Sequence, residues 1–294
     1  MIKNLVIAGG GFKTIPAIGA LKLLRDKGIL NTITAYHATS AGAIFALLLI
    51  LKYTIDDIEK IIFDFDIDKI FEPIIDIDNF FNNFNVYGSD KFAKVIKLLI
   101  RYKLNKKTDN IDYANITLSQ FYRLTNKKLT CATISLRQRN VKYFNYINQP
   151  NLPVYKLIMM TCCIPLMFKP VTWRDDKYLD GGLIDNFPLF DIPKNELDHT
   201  IGIYAKTKLK PIVPEFDNLY DYMQCILSIC TLCITPIPLF NVITVTMSEK
   251  YSRNIMNIKL SSKDRQQIIN KSYDDSLKQY LLFQIPKKAR RHSF

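Results

Sequence analysis

Ser40 lies in the run Ala38-Thr39-Ser40-Ala41-Gly42, between a short strand-like segment and the wholly apolar residues 43–51. This is Gly-x-Ser-x-Gly with alanine in place of the first glycine. In that motif a sharp strand-to-helix turn lifts the serine clear of the sheet, and small residues two before and two after avoid a backbone clash. The following helix would point its positive end at the hydroxyl, with the Ala41 N–H placed to donate to an oxyanion. The chemistry would be attack of a serine hydroxyl on an acyl carbonyl. The competing reading is that Ser40 only caps a buried helix.

A second cluster, Gly9-Gly10-Gly11-Phe12-Lys13-Thr14, follows the apolar residues 5–8. A glycine run between a strand and a helix exposes N–H groups that can hold an anion. Phe12 stands where a Walker A loop needs glycine before lysine, so that motif fails. Thr14 takes the third glycine of a dinucleotide fingerprint, and residues 33–36 lack the acidic residue that should follow. An oxyanion hole remains, with a plain strand-to-helix turn as the alternative.

A serine nucleophile needs a base. His37 lies three residues before Ser40 on the same strand and should not face it; His199 falls in a polar loop and His292 near the C-terminus. Leu179-Asp180-Gly181-Gly182, followed by Asn186-Phe187-Pro188, places a carboxylate at a strand end. Alone, an aspartate before two glycines is a turn. Beside a serine elbow it makes a Ser-Asp pair the economical arrangement.

The elements that must position these groups follow from local pattern. Residues 5–28 read as strand, glycine turn and helix, with Pro16 in the first turn and Gly28 at the C-terminal cap. Residues 33–37 read as a second strand, and residues 43–51, apolar on all sides, as a helix buried mid-protein. Two such units predict a parallel α/β sheet with helices on both faces. Residues 54–126 read as a helical insertion whose capping boxes begin at Thr54 and Thr117. A hairpin is expected over 129–146, a helix over 154–161, a turn at 174–177 and a core strand over 201–205.

The 294 residues are 48% hydrophobic and carry a formal net charge of +13. That length supports one large domain, and the charge fits either an anionic partner, a membrane surface or nucleic acid, or a plain solvated basic face; no nucleic-acid module is present. Six cysteines lack zinc-finger spacing, and a reduced intracellular chain is expected. No signal peptide or membrane span is read. Lys287, Lys288, Arg290 and Arg291 after Leu281-Leu282-Phe283 have the pattern of a weak interfacial anchor, or of a frayed terminus.

Taken in order, the glycine loop, the serine elbow and Asp-Gly-Gly resemble the patatin-like phospholipase family over roughly residues 3–205. Asn186, Pro188 and the segment 164–171 match it too, whereas Thr14 and Ala38 stand where the family usually has glycine. The resemblance implies a three-layer α/β/α fold with a mostly parallel central sheet. It implies a core over 1–205 and an extension over 206–294 that could serve as a lid or membrane-facing segment. Ser40 and Asp180 would be catalytic, and Gly9, Gly10, Gly11, Lys13 and Ala41 would form the oxyanion hole. Gly42, Gly181, Gly182 and Asn186 would support the motifs. The substrate would be a phospholipid, lysophospholipid or neutral glyceride at a membrane surface, cleaved without cofactor or metal. Partial burial of Asp180 would raise its pKa and make it a better base. A binding protein for lipid or phosphate that keeps the fold but not the activity is the alternative.

Overall fold

The computed structural model describes residues 1–64, 87–105, 111–206, 241–247 and 260–283, together with residues 70, 222, 225 and 226. The basic tail and most of residues 206–240, read above as anchor and lid, lie outside the described residues.

The two leading units form as their patterns require. β1 (Asn4–Ile7) is buried along its whole length, and α1 (Ala17–Asp26) follows it. Gly28 takes φ 70°, the left-handed conformation that ends a helix with least strain in glycine. β2 (Ala35–Ala38) leads through Ser40 into α2 (Ala41–Ile50), which no charged residue interrupts. Then come α3 (Ile55–Asp64), α4 (Asp90–Leu104) and α5 (Leu118–Thr125). Thr54 and Asp57 exchange reciprocal side-chain-to-backbone bonds at the start of α3, and Thr117 and Gln120 do so at α5.

β3 (Lys128–Ser135) and β4 (Asn140–Phe144) make the hairpin, with Arg139 at φ 52° in its turn. α6 (Val154–Thr161), β5 (Val171–Trp173), β6 (Asp176–Asp180), β7 (Thr200–Lys206), β8 (Val242–Thr246) and α7 (Ser262–Phe283) complete the order. The eight strands form one mixed sheet. β3, β2, β1, β7 and β8 run parallel, while β4 and β6 lie antiparallel to β3 and β5 antiparallel to β6. The expected α/β class holds, with an antiparallel flank at the β3 end.

Leu5 and Ile7 face the main core with α1 and α2, while Val6 and Ala8 face a second cluster built by Phe187, Leu189 and Ile192. α7 lies on α1 so closely that a Cβ on Gly19 would sit 2.5 Å from the Ile269 carbonyl oxygen. Ser272 Oγ donates to Pro16 O across that contact. Among the described residues, no helix is long and apolar enough to cross a membrane.

Pairing register brings two distant segments together. Cys131 pairs with Ala38 of β2 and with Phe144 of β4; Thr133 pairs with Asp180 of β6 and with Lys142 of β4. A residue in a sheet has only two edges, and β4 occupies one from Cys131 to Ser135. β2 and β6 therefore share the other edge of β3, approaching from opposite ends and stopping either side of Ala132. The chain positions that follow Ala38 and end at Asp180 must meet there.

Candidate active site

Ser40 begins α2 with φ 53° and ψ −128°. A side-chain-bearing residue in so sparse a region costs roughly 1–3 kcal/mol and persists only where its surroundings enforce it. Here they do. The Ser40 N–H donates to Thr161 Oγ1 (2.9 Å), and the Thr161 hydroxyl donates to Ala132 O (2.7 Å). Thr39 Oγ1 donates to Asp185 O (3.0 Å). On the far side of the turn a Cβ on Gly42 would lie 2.3 Å from Ile7 O and 2.6 Å from Ala8 O. Only glycine lets α2 start this close to β1.

Ser40 Oγ donates to Asp180 Oδ2 at 2.6 Å, both residues being buried. Asp180 Oδ1 accepts the Gly182 N–H (2.7 Å), and the Asp180 N–H donates to Cys163 O (2.8 Å). Burial pushes the Asp180 pKa up to about 7, against the smaller lowering effect of the bonds from Ser40 and Gly182. Such a carboxylate is a far better proton acceptor than an exposed one and is still partly ionised at neutral pH. A Cβ on Gly181 would strike Ala132 O at 2.4 Å, so the chain can turn after Asp180 only because residue 181 has none.

The glycine loop stands beside the serine: a Cβ on Gly9 would lie 2.9 Å from Ser40 Cβ and 2.4 Å from Asn186 Oδ1. Gly10 and Gly11 take φ 148° and 54°. Among the described residues the N–H groups of Gly10, Gly11 and Ala41 have no hydrogen-bond acceptor, so they are available to an anion. Two positions expected in the oxyanion hole are otherwise engaged. The Gly9 N–H donates to Asn186 O (3.1 Å) while Asn186 Nδ2 donates to Gly9 O (3.2 Å), so Gly9 ties the loop to the segment after Asp180. The Lys13 N–H donates to Gly10 O (3.0 Å), closing the turn; its ammonium is largely buried, which lowers its pKa.

An apolar cavity of about 170 Å³ opens from Ser40. Ile44 and Phe45 of α2, Ile62 of α3, and Phe92, Ile96 and Leu99 of α4 supply much of its wall. These residues were legible as parts of helices but not as a pocket. Thr161 and the Tyr143–Asp185 pair (2.5 Å) also carry no local signature; they matter only because the sheet brings them to the elbow.

His37 and His199 lie elsewhere, and His292 lies outside the described residues. His37 Nδ1 is 3.1 Å from Asp191 Oδ2 without the alignment of a hydrogen bond, in a polar cavity at the other end of β2. His199 Nδ1 is 3.0 Å from Met1 O. Among the described residues no three His, Cys, Asp or Glu side chains form a metal-holding group.

The family profile described as "Patatin-like phospholipase" matches residues 5–192, a span holding the glycine loop, Ser40, Asp180 and Asn186. The chain belongs to this family. Protein R571 of Acanthamoeba polyphaga mimivirus, described only as uncharacterized, is 34% identical over 238 residues, covering 76% of this chain and 73% of its own. "Probable lipid hydrolase 463L" of Invertebrate iridescent virus 6 is 24% identical over 193 residues, covering 64% of this chain and 62% of its own. Among solved structures, VipD from Legionella pneumophila superposes with a TM-score of 0.66 at 15% identity, over 95% of this chain and 66% of VipD. That likeness speaks for the patatin fold alone.

Proposed function

We propose that this member of the patatin-like family hydrolyses fatty-acyl esters of lipids, a phospholipid, lysophospholipid or neutral glyceride, through Ser40 and Asp180. The observation that carries the reading is the 2.6 Å bond between Ser40 Oγ and Asp180 Oδ2 at the mouth of an apolar cavity. Asp180 takes the hydroxyl proton as Ser40 Oγ bonds to the ester carbon. The carbonyl oxygen becomes an oxyanion held by the Gly10, Gly11 and Ala41 N–H groups, each worth about 3–4 kcal/mol in comparable sites. The C–O bond to the alcohol breaks, and the alcohol leaves with the proton from Asp180. Asp180 then takes a proton from water, whose oxygen attacks the acyl carbon. Fatty acid leaves as Ser40 Oγ recovers its proton. The acyl chain lies along the wall of α2 and α4 throughout.

The test is release of fatty acid from defined phospholipids and glycerides by wild type and Ser40→Ala, with labelling by a fluorophosphonate probe. Labelling and turnover that both require Ser40 support the reading. A wild-type protein that binds these lipids but neither labels nor turns over refutes it in favour of a binding protein.

A further inference from the structure

α4 has two faces. Phe92, Val95, Ile96 and Leu99 line the apolar cavity. Another stripe of the helix is exposed and carries Lys94, Leu98, Arg101 and Tyr102, spaced as helical neighbours. Leu98 is 62% and Tyr102 76% exposed. Leu98 and Tyr102 stand in solvent beside two cations, on a helix whose Phe92, Ile96, Leu99 and Ile100 are buried.

Among the described residues, acids also lie near this helix or on it. Asp57 faces Lys103 (3.7 Å), and Asp112 accepts bonds from Ala114 N and Asn115 Nδ2. Asp90 opens the first turn of α4, where a carboxylate favours the helix dipole. A second exposed group flanks the same cavity. Leu166, 42% exposed and held at φ 65°, sits between the cavity-lining Ile164 and Phe168. Tyr87, just before α4, joins the two parts: its N–H donates to Met167 O (2.9 Å) and its ring lies 6.2 Å from that of Phe168.

We propose that the Lys94-Leu98-Arg101-Tyr102 stripe of α4, with Leu166, is the surface by which the protein docks on an anionic lipid bilayer. The chemistry selects this occupant. Cations attract the negative surface of the leaflet, tyrosine suits the headgroup level, and leucines gain by entering the acyl boundary. The net charge of +13 adds long-range attraction. The docking helix is also a wall of the cavity, so one element borders both the bilayer and the acyl pocket. The inference rests on the lipid-hydrolase reading for its purpose, but the experiment separates the two.

Vesicle co-sedimentation is measured with phosphatidylcholine alone and with added phosphatidylserine, using wild type, Lys94→Glu/Arg101→Glu and Leu98→Ser/Tyr102→Ser. In parallel, hydrolysis of a water-soluble short-chain ester is read. Wild type should bind the anionic vesicles more tightly. Neutralising each cation weakens binding roughly fivefold, so reversing both should weaken it by about 30-fold or more, and the serine pair should also lose binding to neutral vesicles. Soluble-ester turnover and thermal midpoint should stay at wild-type values, which excludes misfolding; Leu98→Ser alone serves where the double variants melt early. Vesicle binding that is unchanged in every variant, or absent in wild type, overturns the proposal. A wild-type dimer that the same variants dissociate overturns it in favour of a second copy as occupant. Stripe-dependent vesicle binding without hydrolysis of any ester leaves the docking surface standing and refutes the hydrolase reading.

Discussion

Asp180→Asn should make the protein more stable at alkaline pH while abolishing turnover. The carboxyl is buried, and its pKa rises from 3.8 unfolded to about 7 folded. A raised carboxyl binds its proton more tightly in the native state. Its favourable contribution is thus fully present below pH 4 and is lost as pH climbs through 7. About three units at 1.36 kcal/mol each gives a loss of roughly 4 kcal/mol by pH 8. Asparagine carries no such charge. With Oδ1 accepting from Gly182 N and Nδ2 donating to Ser40 Oγ it keeps the contacts of Oδ1 and Oδ2, although the Ser40 hydroxyl proton loses its acceptor, worth about 1 kcal/mol. The expected net gain is about 3 kcal/mol at pH 8, shrinking to nothing or a slight loss near pH 4. Urea midpoints of both proteins across pH 4–9 measure it, and wild-type esterase activity should rise with pH through about 7. Parallel stability profiles for the two proteins, or an Asp180→Asn variant that is weaker at pH 8, would refute the claim that an ionised carboxylate is buried here at a cost.

Ser40→Gly should be more stable than Ser40→Ala by about 1 kcal/mol, because only glycine relaxes at φ 53°; both should be inert to a fluorophosphonate, and denaturant melts compare them. Gly42→Ala should lose more than about 4 kcal/mol or fail to fold, its Cβ meeting Ile7 O at 2.3 Å, as soluble yield and thermal midpoint will report. Thr161→Val removes the acceptor for the Ser40 N–H and should cost about 1–3 kcal/mol, with a fall in kcat that Thr161→Ser restores. Leu99→Trp fills the cavity wall, so kcat/KM for long acyl chains should drop relative to short ones.

What was legible in the sequence was local. Residues 5–8 had to be a buried strand because they are short, apolar and stopped by glycine. Residues 43–51 had to be a buried helix because no face of them is polar. The reciprocal bonds at Thr54 and Thr117 and the hairpin turn at Arg139 each depend on three or four adjacent residues, so pattern alone reveals them. The helix expected over 154–161 forms over those same residues. What stayed hidden was non-local. That β2 and β6 share one edge of β3 follows from pairings across more than 40 residues, which carry no periodic trace. Thr161 ends an apolar helix with nothing to mark it. Gly9 looked like a donor because glycine runs expose N–H groups; only the fold shows that Asn186 O already takes its hydrogen.

The two departures from the family's glycine pattern can be weighed by asking what each backbone position demands. Glycine is required where φ is positive or where a Cβ would enter another atom. Ala38 meets neither condition: it is an ordinary strand residue paired with Ile7 and Cys131, and its methyl is fully buried in the core. Thr14 has negative φ, and its hydroxyl donates to Gly11 O (2.6 Å), bracing the loop that leaves the Gly10 and Gly11 N–H groups open. The positions of this pattern that require glycine are Gly9, Gly42, Gly181 and the positive-φ Gly10 and Gly11, and all five are glycine here. The substitutions therefore fall where the geometry is indifferent, and the constraint is kept where the elbow, the carboxylate turn and the anion loop each depend on it.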